Sequence, residues 1–196
     1  MFELTTFIFS PSVYIRGIAG TGPKKLWPLA LFLVLLIPLC HSFSAAMSAG
    51  TNIASFGLGM LSSYWVKTLL FGAAILFSGG FVFFAASLVN RGENAPRVDA
   101  GVFTVLYLAS WFPVAFSPAF TLAVRQLGNP GTAFSALGWI AVFAWIIILQ
   151  ISVVRYAFGM NLLKSILVWA AAGIIGQLLS VLLVVYAAAA FLSGAA

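Results

Sequence analysis

The stretch AFSALGWIAVFAWIIILQISVV, residues 133–154, decides the fold of this chain. It holds no charged side chain from end to end, and its few polar residues are scattered. A helix needs about 20 apolar residues to cross about 30 Å of hydrocarbon, and this run has that length. A membrane-spanning strand would need only about ten residues in strict alternation, and no such alternation is present. Inside a bilayer every backbone N–H and C=O must be bonded within the protein, so a run of this kind forms a helix.

Four further runs of similar character lie on either side, at 26–47, 64–89, 102–124 and 162–192. The whole chain agrees with them: 63% of its residues are hydrophobic and 6% charged, with a mean hydropathy of +1.16. Soluble domains carry about 25% charged residues, and a chain of this length could not hide so much apolar surface from water. The expected fold is therefore all-α: a polytopic transmembrane helical bundle of five spans, forming one membrane domain over 26–196. An amphipathic N-terminal interfacial segment over 1–25 precedes it.

That segment is apolar but interrupted and too short to span. Ser10-Pro11 is a helix-start signal, with Ser at the N-cap and Pro at the first helical position. Leu4, Phe7, Ile8 and Pro11 share one helical face, as do Pro11, Tyr14, Ile15 and Ile18. One or two short helices lying on the membrane surface are expected. A cleaved signal peptide ending near Ser44-Ala45-Ala46 is the competing reading, but the region before Lys24-Lys25 is too long and too apolar for one.

Charge sets the orientation. The net charge is +6, from nine Lys and Arg against three acids. Arg16, Lys24 and Lys25 precede the first span, Arg91 and Arg97 lie between the second and third, and Arg155 and Lys164 lie between the fourth and fifth. With five spans those residues share one side, leaving only Lys67 and Arg125 near the other, at span ends where long side chains can snorkel. The loop 49–63 is uncharged. Basic loops favour the cytoplasm, so the N-terminus is expected there and the C-terminus on the opposite side, in a prokaryotic inner membrane. Nucleic acid is not an expected partner, because basic residues beside apolar spans have a simpler role against anionic lipid. No internal repeat is evident, and an odd number of spans argues against a simple inverted-repeat transporter.

Chemistry-bearing residues are sparse. Glu3, Glu93 and Asp99 are the only carboxylates, and none lies in a span. Intramembrane proton and ion relays usually use Asp, Glu or His, so coupling to protons through a buried carboxylate is not expected. Paired-carboxylate catalysis has no pair to use. The lone Cys40 and the lone His41 are adjacent, about 100° apart on a helix, and cannot share an ion unaided. No catalytic, cofactor or metal site is expected. His41 is either a ligand-contacting group or, more simply, a polar side chain bonded to a neighbouring helix. Tyr107 and Ser110, Gln150, and Gln177 with Ser180 are the other candidate polar contacts inside spans. Gly173 and Gly176 would let another helix approach closely. Pro113 and Pro118 break the third span, and Gly79-Gly80 allows a bend or a close neighbour in the second. No nucleophile elbow or phosphate-binding loop is present.

The layout resembles the Yip family, membrane proteins named for interacting with Ypt/Rab GTPases, in its prokaryotic branch. The stretch Phe9-Ser10-Pro11-Ser12-Val13-Tyr14-Ile15-Arg16-Gly17-Ile18 is similar to that branch's pre-membrane segment, with Tyr14 where Trp is expected. Gly92-Glu93-Asn94-Ala95-Pro96-Arg97-Val98-Asp99-Ala100, followed by Tyr107, Ser110 and Pro113, resembles the family's loop and its helix with a mid-span proline. The stretch 150–169 resembles the last connection, with Lys164-Ser165 where Lys-Ala is usual. The resemblance implies five spans, a cytoplasmic N-terminus and action through protein contacts. It transfers no catalytic residue. The expected function is a non-enzymatic scaffold, adaptor or accessory subunit, with the lipid bilayer and other membrane proteins or a homo-oligomer as partners. The alternative is a small-molecule permease or channel, whose polar path would run through His41, Tyr107, Gln150 and Gln177.

Overall fold

A computed structural model describes residues 4–18, 22–48, 58–91, 96–176, 178–180, 182 and 186. Among them there is no strand. Two short helices, α1 (Leu4–Phe9) and α2 (Pro11–Gly17), are followed by a 3-10 turn at Pro23–Lys25. Then come α3 (Trp27–Ser48), α4 (Leu58–Val89) and α5 (Ala100–Ala109). A 3-10 turn at Phe112–Phe116 joins α5 to α6 (Ser117–Leu127), and α7 (Asn129–Phe158) follows. Helix α8 (Leu162–Val168) runs on through a π-helical turn at Trp169–Gly173. Five segments are long and apolar enough to cross a bilayer: Trp27–Ser44, Tyr64–Val89, Ala100–Leu127, Asn129–Phe158 and Leu162–Ser180.

The third segment is the centre of the bundle. Its spanning stretch is 56% buried, against 28–33% for the others. Val102, Phe103, Leu106, Tyr107 and Ala109 are fully enclosed. Phe83, Phe103 and Phe158 bring α4, α5 and α7 together, with ring centroids 5.3–5.8 Å apart. Lipid gives helices no hydrophobic reason to associate, so close packing at small residues has to hold them. A Cβ on Gly79 would stand 3.4 Å from the Tyr107 ring, and one on Gly176 would stand 3.4 Å from Phe81 and Ser78. Gly79 and Gly176 are thus packing positions. Gly80 faces open space, and a Cβ on Gly173 would stand 3.4 Å from the Trp169 ring inside the π turn. Gly80 is exposed on α4, whereas Gly173 is buried within the π turn, which packs against α4 and α7.

Pro113 lies in the 3-10 turn and Pro118 at the second position of α6, so the third span is broken as expected. Proline removes a backbone donor at each point. Helices α6 and α7 are joined by Gly128 alone, at φ +61. Only glycine adopts that conformation cheaply. Directly after it, a Cβ on Gly131 would fall onto the carbonyl oxygen of Ala123.

At the basic end, the last carbonyls of α7 are taken up by the α4–α5 connection. Asn90 Nδ2 donates to Phe158 O at 3.2 Å, and Arg97 N donates to Ala157 O at 2.7 Å. These are acceptors a helix end leaves unpaired. Asp99 caps α5 by accepting from Val102 N at 2.8 Å, and Asn161 caps α8 by accepting from Lys164 N at 2.8 Å.

Three boundaries differ from expectation. Residues 58–63 belong to α4 rather than to a loop, with Gly59 tolerated in its first turn. Arg155 lies in the last turn of α7 and Lys164 in the first turn of α8, so neither is in a loop. A cation at a helix C-terminus is favoured by the helix dipole, which accounts for Arg155. The third difference is the N-terminal segment. Its two helices form at the expected place, with Pro11 opening α2, although the Ser10 side chain makes no capping bond. One apolar face is turned into the protein, with Phe7, Ile8, Tyr14 and Ile15 buried, while Phe9 and Val13 stay exposed. The pair docks along α7. Arg16 sits over the Tyr156 ring, with Arg155 on the same ring, while Phe9 meets Trp145 at 5.8 Å. Tyr156 and Trp145 are about 16 Å apart along α7 at about 1.5 Å per residue. The bend at Ser10 therefore dips well below the basic end.

Candidate functional site

Polar side chains inside these helices are mostly satisfied within their own turn. Thr68, Ser87, Thr104, Ser152 and Ser165 each donate to the carbonyl four residues back, at 2.7–2.9 Å. Ser110 donates to Tyr107 O at 2.6 Å and is fully buried. Ser180 donates to Gly176 O at 2.7 Å and lies 3.2 Å from Ala74 O across the α4–α8 contact. Between α7 and α8, Trp169 Nε1 donates to Gln150 Oε1 at 2.8 Å. Tyr107 is enclosed between α4 and α5, beside Gly79 and Phe103. Gln177 lies outside the described residues. Tyr107, Gln150 and His41 therefore stand in three separate environments, and no polar lining joins them among the described residues.

His41 is different. It is exposed, on the face of α3 that lines a cavity of about 380 Å³ between α3, α4, the Phe112–Phe116 turn and α7. The volume is in the range of small-ligand clefts. Three helices build the walls in the same way, each with a pair of residues one turn apart: Ile37 and His41 on α3, Lys67 and Phe71 on α4, Trp139 and Phe143 on α7. Residues four apart lie on one helical face. Trp111 closes the floor, its ring edge-on to Phe71 at 6.3 Å. Trp139 and Phe143 stack at 5.6 Å on the opposite wall. The Trp111 Nε1 atom is buried without a hydrogen-bond partner among the described residues.

The groove thus combines an aromatic body with two cationic or donor side chains, at the end of the bundle away from the basic loops. Neither His41 nor Lys67 has a salt bridge or hydrogen bond among the described residues, and Asp99, the described acid, caps α5 at the other end. Lys67, Trp111, Trp139, Phe71 and Phe143 did not stand out in the sequence. The one-turn spacing of His41, Lys67 and Trp139 with an apolar neighbour was the available signal, but it does not say which faces converge. Among the described residues no three His, Cys, Asp or Glu side chains come together.

Comparison with known proteins yields no relative: no protein-family model, no curated sequence and no solved structure matches this chain.

Proposed function

We propose that this chain is a non-enzymatic membrane subunit, inserted through its five apolar helices, that holds another membrane protein through the groove around His41 and Lys67. The observation that supports this reading is the pairing of two polar side chains with an aromatic cleft that nothing in the described chain fills. The complementary group is an acidic side chain on a partner helix, since polar contacts between helices are the usual glue in lipid and a carboxylate answers the Lys67 charge with a charge-assisted bond. A second copy of this chain offers no such acid in a span, because Glu3, Glu93 and Asp99 all lie outside the apolar runs. A hetero-partner is therefore favoured over a homo-oligomer. The dispersal of His41, Tyr107 and Gln150 weighs against the permease reading, which needs a continuous polar path. The resemblance to the Yip family, whose eukaryotic members act through protein contacts, points the same way.

The test is capture of the tagged chain from native membranes in mild detergent. A companion at fixed stoichiometry is the expected result, and recovery of the chain alone would contradict the proposal.

For orientation we propose that the end bearing Lys24, Lys25, Arg91 and Arg97 faces the cytoplasm, by the positive-inside rule. Cysteines placed at Arg97 and at Asn52 in a Cys40→Ser background distinguish the two sides. A membrane-impermeant thiol reagent applied to intact cells should label Asn52→Cys and leave Arg97→Cys unmodified. The reverse pattern would invert the topology.

A further inference from the structure

A second groove lies at the basic end, between α3, α4 and α5, with a volume of about 430 Å³. Its walls are apolar: Trp27, Leu31 and Val34 from α3, Leu76 from α4, and Gly101 and Thr104 from α5. The Thr104 hydroxyl is spent on Ala100 O at 2.8 Å, so the groove offers a ligand almost nothing to hydrogen-bond. Trp27, Leu31 and Leu76 are 60–63% exposed, which leaves the groove open sideways. An apolar slot of this kind, opening laterally from a membrane-spanning bundle, suits an acyl chain.

The mouth supplies the specificity. The 3-10 turn Pro23–Lys25 touches both α3 and α5, two of the helices that wall the groove. Lys24 and Lys25 are both exposed there, and Trp27 lies two residues beyond Lys25 at the level where indoles meet headgroups. Asp99 is the one described acid beside this mouth, and its carboxylate is engaged as the cap of α5. Among the described residues the local balance is therefore positive, and basic groups at such a position attract anionic lipid headgroups.

We infer that this groove binds one anionic phospholipid, its acyl chain between α3, α4 and α5 and its phosphate at Lys24 and Lys25. The inference rests on the chain spanning a membrane and is independent of the partner at the opposite groove. Native mass spectrometry of the purified full chain, mixed with equal amounts of phosphatidylglycerol and phosphatidylcholine of identical chains, tests it. The parent should retain one phosphatidylglycerol in preference by at least about ten-fold, equivalent to about 1.4 kcal/mol. Lys24→Ala with Lys25→Ala should abolish the preference while a lipid is still retained. Gly101→Phe, which fills the slot from an exposed position, should abolish retention of both lipids. Arg91→Ala, another exposed basic residue of the same end, should leave the preference intact. Equal retention of the two lipids by the parent would overturn the inference. So would a loss in Arg91→Ala as large as in the double lysine variant. A chain that fails to insert would fail the labelling experiment at Asn52 and Arg97 as well, which separates that failure from the absence of this site.

Discussion

Replacing Gly131 with leucine is expected to destroy the α6–α7 hairpin and to produce the largest loss of stability of any single glycine substitution in the bundle. A Cβ at Gly131 collides with backbone atoms, the Ala123 carbonyl carbon at 2.6 Å and Val124 Cα at 2.9 Å, and backbone cannot rotate away as a side chain can. Gly138, farther along the same helix, meets only the ring of Phe120, which can turn aside. Gly128 holds the two helices together at a positive φ, so α7 cannot slide to relieve the clash. Overpacking of a tight contact typically costs about 1–3 kcal/mol, and a backbone collision belongs at or beyond the upper end. Thermal unfolding in detergent, followed by circular dichroism, measures it. Gly80→Leu is the internal control, since a side chain there projects into open space. Equal midpoints for the two variants would show that α6 and α7 are not packed as described.

The second large effect is expected at Lys67. If the ammonium meets an acidic group on a partner helix, Lys67→Leu should reduce the amount of captured companion by at least about ten-fold, equivalent to 1.4 kcal/mol or more. Removing one member of a desolvated charge pair leaves the other unpaired, which is why the loss exceeds that of an ordinary surface contact. Lys67→Arg keeps the charge and should retain most of the companion, and His41→Leu should fall between them. None should alter helical content, because neither Lys67 nor His41 is bonded within the described chain. The simpler account, in which Lys67 only reaches back to the membrane surface, predicts full retention in Lys67→Leu.

Much of the fold was legible in the sequence because lipid imposes a blunt rule: long apolar runs become helices. The five runs, the break at Pro113 and Pro118 and the helix start at Pro11 follow from length, composition and proline chemistry alone. Helix ends were less legible, since residues 58–63 mix loop-type Gly59, Ser62 and Ser63 with apolar Leu58, Met60 and Leu61. The docking of Phe7, Ile8, Tyr14 and Ile15 onto α7 was legible only as an apolar face, because periodicity marks a face without saying whether lipid or protein covers it. The groove was half visible. His41 stood out as a lone histidine, whereas Lys67 read as a snorkelling residue and Trp139 and Phe143 carried no signal of their own. What joins them is the convergence of α3, α4 and α7, a long-range property that no local spacing records. Conversely Gln150 and Ser180, conspicuous in the sequence, are engaged in α7–α8 and α4–α8 contacts.

The claim that the groove holds a partner protein is tested most directly by a photo-activatable amino acid at Phe143, on the groove wall, compared with one at Phe84, an exposed position on α4 outside it. Irradiation in native membranes should give one discrete protein adduct from Phe143 and lipid adducts alone from Phe84. Lipid adducts alone from both positions, or the same ladder of proteins from both, would contradict the account.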